Sequence, residues 1–151
     1  FTRLLAERLN TSCKLPVGEG RHGERVAGGR ILIAPGDFHM KVAALSGGDV
    51  HIVLDQSPPQ NFCRPAVDAL FGSVAGVYGG AVIATVLTGM GQDGMRGSDL
   101  LRAQGAVILA QDQESSVVWG MPGAVVNAGL ADRVLPLSQC AQEILRRVER
   151  T

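Results

Sequence analysis

Two kinds of hydrophobic pattern alternate along the second half of the chain. Apolar side chains spaced three and four residues apart are typical of amphipathic helices, and short continuous apolar runs between them are typical of strands buried on both faces. This alternation predicts an α/β domain with a parallel sheet, helices covering it and right-handed crossovers. The predicted helices span residues 65–78, 95–105, 121–129 and 138–150, and the predicted strands span 81–88, 106–111 and 132–137.

The first half of the chain predicts a smaller antiparallel attachment. Residues 2–10 carry leucines at helical spacing, and residues 30–37 predict a strand that stops at Pro35 and Gly36. Residues 38–55 predict two strands joined by the turn at 46–49, hence a hairpin. The glycine-rich residues 19–29 and the proline-rich residues 57–65 predict loops.

Local signals also predict how individual helices begin and which side they bury. Pro65 suits the first turn of its helix, and Ser138 suits the N-cap of the last helix. In that last helix the inward side chains are expected to be Cys140, Ile144, Leu145 and Val148.

Composition gives no support to several classes of partner and cofactor. The chain has 151 residues, enough for one domain, with 14 basic and 14 acidic side chains, so nothing in its charge favours nucleic acid or an anionic membrane. No apolar run approaches the roughly 18 residues of a membrane span. The three cysteines are odd in number and lack C-x-x-C spacing, which argues against a zinc site or a disulfide framework. We expect a cytoplasmic protein with reduced thiols and no metal or cofactor.

The segment "TGMGQDG", residues 88–94, follows the apolar run at 81–87 and permits more than one interpretation. Its glycines spell G-x-G-x-x-G, and Asp112 lies 18 residues past Gly94, so the loop is one candidate for a dinucleotide-binding module. Asp93 counts against this, since a carboxylate before a helix repels a pyrophosphate. The fingerprint also normally occupies the first βα unit of its fold. In a purely structural alternative, Asp93 caps the helix that starts near Gly94.

A resemblance bears on that choice. The segments "FTRLLAERLN", "IAPGDFHM", "RPAVDALF", "LTGMGQDGMRG" and "VVWGMPGAV" resemble, in the same order, the catalytic domain of the chemotaxis protein-glutamate methylesterases, the CheB family. The resemblance implies a doubly wound, three-layer α/β sandwich with a small hairpin. It also implies hydrolysis of γ-glutamyl methyl esters of methyl-accepting chemotaxis receptors, sometimes with deamidation of receptor glutamines. An N-terminal receiver domain usually accompanies this domain in the family.

Two site residues follow from the resemblance, position by position. Asp93 matches the acid of the family's Ser-His-Asp triad, which orients the imidazole and stabilises the imidazolium. Met90 matches the residue whose backbone N–H helps to stabilise the oxyanion.

The family's nucleophile and base have no counterpart in these residues. The serine lies in a Gly-Ala-Ser-Thr-Gly-Gly turn and the histidine in a Gln-His-Met-Pro segment, and neither motif is present. We expect residues 1–151 to be a methylesterase-type catalytic domain that lacks its first strands and is inactive alone. None of His22, His39 and His51 is expected to replace the base. A non-catalytic domain that docks on receptors is the remaining alternative.

Overall fold

Five helices and seven strands make up the protein in a computed structural model, which describes residues 1–150. The helices are α1 (Thr2–Ser12), α2 (Val67–Tyr78), α3 (Met95–Ala103), α4 (Met121–Asn127) and α5 (Leu137–Val148). The strands are β1 (Val17–Glu19), β2 (Ile31–Ile33), β3 (His39–Ala44), β4 (Val50–Asp55), β5 (Ile83–Val86), β6 (Val107–Gln111) and β7 (Arg133–Leu135). Only β1 was not predicted, because it has three residues and a single bulky apolar side chain.

The strands form parallel sheets and one antiparallel hairpin, so the predicted open α/β class is confirmed. Strands β5, β6 and β7 form a parallel sheet in that order, β1 pairs in parallel with β2, and β3 pairs with β4 as the predicted hairpin. Within residues 1–150, β5 pairs with β6 only and is an edge strand. The carboxyl ends of β5 and β6 therefore lie side by side, and the loops that follow them meet.

The main core lies between the β5–β6–β7 sheet and its helices. Leu101 of α3, Val125 of α4 and Ile108 of β6 are fully buried there, with Phe71 of α2 packed against them. Burial on both faces is confirmed for β6, where Ile108, Leu109 and Ala110 are all inaccessible. The same prediction of burial on both faces is wrong for β5, whose side chains alternate between buried and half-buried.

Two helix starts and one buried face differ from the sequence prediction. Helix α2 begins at Val67 with Ala66 as N-cap, so Pro65 precedes the helix. Helix α5 begins at Leu137 with Pro136 as N-cap, which places Ser138 inside the first turn. In α5, Leu145 and Val148 are exposed instead of buried, because the helix packs on β6 and β7 through the side that carries the buried Cys140 and Glu143.

Glu143 is the buried carboxylate of α5. Its oxygens accept hydrogen bonds from Arg146 Nε at 2.9 Å and Nη2 at 2.6 Å, and from Arg147 Nε at 2.7 Å. The hydrogen bond from Arg146, followed by that from Arg147, lowers the pKa of Glu143 from its ordinary 4.5 to about 2.

This depressed pKa predicts an acid-dependent contribution to stability. A carboxylate with a lowered folded-state pKa contributes fully above about pH 5, and its contribution is lost as pH falls from 4.5 towards 2. We expect Glu143→Gln to be less stable than the unaltered protein at pH 6, with the two free energies of unfolding converging near pH 2. Urea unfolding across this pH range measures the difference, and a pH-independent gap would contradict the prediction.

Candidate active site

The loop at 87–94 and the loop at 112–120 are joined by backbone hydrogen bonds. Gly89 N–H donates to Val118 O at 3.0 Å, and Gly89 O accepts from the N–H groups of Gly120 and Met121 at 3.1 and 2.8 Å. Thr88 adds a side-chain link, because its Oγ1 donates to Val118 O and accepts from Val118 N–H. Two of the five segments that carry the resemblance therefore form one structural unit at the carboxyl edge of the sheet.

Gly120 lies where the backbones of these two loops approach each other closely. A Cβ atom on Gly120 would lie 2.8 Å from Gly89 O and 2.8 Å from Gly91 N. Backbone atoms cannot move aside as a flexible side chain can, so only glycine fits here. Gly91 and Gly94 have φ of 85° and 95°, a region that L side chains rarely adopt.

Asp93 is buried beneath this unit, with 6% of its surface exposed. Its Oδ2 accepts the N–H of Val67 at 2.7 Å, and its Oδ1 accepts the N–H of Asp68 at 2.9 Å. These are the first two N–H groups of α2, so Asp93 caps α2. The structural interpretation that Asp93 caps the following helix, α3, is therefore wrong: the N-cap of α3 is Gly94, and the donors to Asp93 are Asn61, Val67 and Asp68, none of them in α3.

Asp68 performs the reciprocal function for α3. Its Oδ1 accepts the N–H groups of Gly94 at 3.0 Å and Gly97 at 2.8 Å. Helices α2 and α3 thus exchange carboxylate caps at their adjoining N-termini. Asn61 lies between the two carboxylates, and its Nδ2 donates to Asp68 Oδ2 at 2.8 Å and to Asp93 Oδ1 at 3.0 Å. We call Asn61, Asp68 and Asp93 the crossed-cap cluster.

The crossed-cap cluster contains two buried carboxylates and no cationic side chain. Within residues 1–150, neither Asp68 nor Asp93 forms an ion pair with lysine, arginine or histidine. Backbone N–H groups and the positive N-terminal ends of two helices offset their charge instead. Sequence reasoning missed Asn61 and Asp68, although an aspartate early in the helix predicted at 65–78 was a visible capping signal.

Met90, the predicted oxyanion residue, lies at the tip of the loop and is 84% exposed. Its backbone N–H has no acceptor among the described residues. Thr88 N–H, two residues earlier, is bound by the Oε1 of the fully buried Gln111 at 2.8 Å. The loop is therefore held at both ends while the Met90 N–H remains free to donate.

The histidines do not contact Asp93. His39 is fully buried, its Nδ1 accepts Ala66 N–H at 3.2 Å, and its Nε2 donates to Pro58 O at 3.0 Å. His39 thus connects the proline-rich loop at 57–65 to the start of α2. His22 is exposed, and His51 is half-buried in β4.

The dinucleotide interpretation conflicts with this geometry. A pyrophosphate would need the free N–H groups of Gly94 and Gly97, and the Asp68 carboxylate already binds both. Asp112, the expected ribose ligand, accepts the N–H of Ser115 at 2.9 Å within its own turn.

No group of three potential metal ligands occurs in the part of the chain that the structure describes. None of the helices within residues 1–150 is long and apolar enough to cross a membrane.

A tight turn positions Asn61. Gln60 and Cys63 exchange backbone hydrogen bonds at 3.0 and 2.8 Å, and the two central residues, Asn61 and Phe62, have φ of 51° and 64°. Positive φ at both central positions is the pattern of a type I′ turn, which favours asparagine first and glycine second. Phe62 is fully exposed and lies where glycine is preferred.

We expect Phe62→Gly to stabilise the protein by about 1 kcal/mol, because glycine removes the cost of a left-handed backbone and no buried contact is lost. Phe62→Ala is the matched control, since it removes the ring and keeps the unfavourable φ. The midpoint temperature of thermal unfolding should be higher for Phe62→Gly than for Phe62→Ala and for the unaltered protein. Equal stability of the Gly and Ala variants would show that the backbone of this turn is not strained.

Comparison with known proteins agrees with the fold and with the matched segments. The family model described as CheB methylesterase matches residues 1–144. A protein-glutamate methylesterase/protein-glutamine glutaminase of Trichodesmium erythraeum is 53% identical over 98% of this chain and 42% of its own length. One of Maricaulis maris is 54% identical over 99% of this chain and 37% of its own length. The chain therefore spans about two fifths of the curated relatives it matches.

A solved structure matches the fold over nearly the whole chain. The crystal structure of the Thermotoga maritima CheB methylesterase catalytic domain has a TM-score of 0.94 and 41% sequence identity, and the match covers 97% of this chain and 77% of that one. Together with the family model, which spans the α/β domain and the loop of Met90 and Asp93, this match shows that the chain belongs to the CheB methylesterase family.

Proposed function

We propose that this chain forms part of an esterase that hydrolyses γ-glutamyl methyl esters of chemotaxis receptors, with Asp93 as the acid of a Ser-His-Asp triad. The observation that carries the proposal is the hydrogen bonding of the Asp93 carboxylate. Its Oδ1 accepts two hydrogen bonds and its Oδ2 accepts one, from Val67 N–H. A carboxylate has about four acceptor positions, so Oδ2 retains one for an imidazole N–H.

The chemistry assigns a separate task to each group. A serine Oγ attacks the ester carbonyl carbon while a histidine takes the serine proton, and the carbonyl oxygen becomes an oxyanion that Met90 N–H stabilises. The C–O bond to the methoxy group then breaks, and methanol leaves with the proton from histidine. Water repeats the sequence on the acyl-enzyme and releases the glutamate. Asp93 remains ionised and orients the imidazole throughout.

The serine and histidine are proposed to come from a segment that precedes this chain in the whole protein. Two features support this: the three histidines of the chain lie away from Asp93, and the solved catalytic domain is matched over 77% of its length. Relatives named as methylesterases and glutaminases support the ester substrate and extend the proposal to receptor glutamines. We extend the proposal to a receiver domain, for which the relatives' greater length leaves room, and to action on receptors in the cytoplasm.

Methanol release tests the proposal. The longest reading frame that contains this chain, and the chain alone, are incubated with receptor fragments methylated on glutamate. We expect the longer protein to release methanol and the chain alone to release none. A longer protein that binds receptor without releasing methanol would instead support a non-catalytic docking domain.

A further inference from the structure

We propose that Asn61 is a positioning residue for the reaction, acting on Asp93 through the crossed-cap cluster. The inference rests on the proposed function of Asp93. Asn61 Nδ2 lies 3.0 Å from Asp93 Oδ1 and 2.8 Å from Asp68 Oδ2, so one amide group connects both buried carboxylates. No other side chain in the described part of the chain donates to either of them.

The chemistry of the cluster requires the amide in this orientation. Both partners of Asn61 are carboxylates, which accept only, so the amide nitrogen and not its oxygen must face them. Each of its two N–H groups then serves one carboxylate. Without this amide, two anions less than a tenth exposed would face each other with no shared donor, which low-dielectric surroundings make costly.

The fold holds the Asn61 amide in place from the backbone side. Asn61 occupies the first central position of the turn closed by Gln60 and Cys63, with φ of 51°. Asparagine adopts this left-handed region more readily than most residues, so the turn is compatible with the side chain that the cluster needs. The turn therefore fixes the direction from which Asn61 approaches Asp93.

This contact determines where the free acceptor position of Asp93 points. With Asn61 present, Asp93 Oδ1 is engaged by two donors and Oδ2 by one. Removing Asn61 leaves one backbone donor on each oxygen, and the two oxygens become equivalent. The carboxylate can then tilt about the N-terminus of α2, and a small tilt moves the imidazole that it holds. A misplacement of about 1 Å in such a group lowers turnover roughly 100-fold.

An exchange of the two side chains isolates the contact between Asn61 and Asp93. Asn61→Asp removes both hydrogen bonds of the amide and adds a third carboxylate. Asp68→Asn keeps the Oδ1 cap of α3, since Gly94 and Gly97 both donate to Oδ1, and converts Oδ2 into a donor. In the double variant N61D/D68N, the amide at position 68 donates to the carboxylate at position 61. That link is restored with its direction reversed, whereas the donor to Asp93 is replaced by a carboxylate oxygen that repels it.

The experiment measures kcat, KM and the free energy of unfolding in the longest reading frame that contains this chain. We expect N61D to lower both kcat and stability. In the double variant stability should recover in part, because the link between positions 61 and 68 returns, while kcat stays roughly 100-fold below the unaltered protein, with KM unchanged. The acidic limb of the kcat/KM profile should move to higher pH in both variants, because added negative charge beside Asp93 favours the protonated imidazole.

Recovery of both kcat and stability in the double variant would overturn the proposal, because a purely structural link between positions 61 and 68 would then be sufficient. An unshifted acidic limb with full kcat in N61D would overturn it as well. Failure of the proposed function would look different. The unaltered longer protein would release no methanol, or its Asp93→Asn variant would be as active as the unaltered protein. In either case the assigned role of Asp93 is wrong, and the role of Asn61 is overturned with it.

Discussion

Asp93→Asn is expected to lower kcat for methyl ester hydrolysis about 10⁴-fold in the longest reading frame that contains the chain. The imidazole of the triad needs an anionic acceptor for its N–H, and the asparagine amide offers only a donor or a neutral acceptor. The imidazole is therefore no longer held in its productive tautomer. The same change costs stability. One of the α2 N–H groups, that of Val67 or that of Asp68, loses its acceptor, which costs about 1–3 kcal/mol when the group is buried.

The comparison of rate with stability separates the two roles of Asp93. Asp99→Asn, on the exposed side of α3, is the matched control and should leave kcat unchanged and stability within about 0.5 kcal/mol. Methanol release under saturating substrate and urea unfolding are measured on the same preparations. If Asp93→Asn lost stability but kept its rate, Asp93 would be only a helix cap.

Gly120→Ala is expected to be a strongly disruptive single-methyl change at the loop that carries Met90. Its Cβ would lie 2.8 Å from Gly89 O and Gly91 N and 2.9 Å from Gly91 O, all backbone atoms of the loop that carries Met90. The two loops must move apart, which costs about 1–3 kcal/mol of stability. The Met90 N–H moves with its loop, and kcat should fall roughly 100-fold because the oxyanion donor is displaced.

Gly47→Ala is the control for the added methyl group. Gly47 lies in the hairpin turn, has ordinary φ, and has open space around the position of its Cβ. It should therefore keep both stability and rate. Circular dichroism melting and methanol release of the two variants side by side test the prediction, and a Gly120→Ala variant with normal kcat would show that the Met90 loop does not depend on this contact.

Much of the fold was predictable because its elements are defined by local patterns. The continuous apolar run at 106–111 became β6, and the apolar stripe that follows Pro65 became α2. The sequence predicted the helix boundaries less well. Proline is common in the first turn of a helix and serine at the N-cap, yet the helices near Pro65 and Ser138 begin at other residues, since packing and the adjacent backbone decide where a helix starts. Leu145 was predicted to face inward but is exposed, because contacts with distant strands decide which side of α5 is covered.

Some residues of the candidate site could be assigned from the sequence, and others were found only in the structure. Met90 and Asp93 were assigned by resemblance to a family motif, and the structure describes where they lie, while their catalytic roles stay predictions. Asn61 and Asp68 were not found, because nothing in the sequence tells which carboxylate caps which helix. Asp93 was expected at the start of α3 from adjacency alone, and it caps α2 instead.

The sequence by itself determined the order and type of all the elements except β1, the α/β class and the position of the loop at 88–94, because hydrophobic spacing and glycine act over a few residues. Only the tertiary structure decided the crossed caps. Those hydrogen bonds join residues 25 to 29 positions apart, and they form because α2 and α3 pack with their N-termini together. A buried carboxylate is directed by the N–H groups that surround it, and which groups those are depends on packing between distant segments.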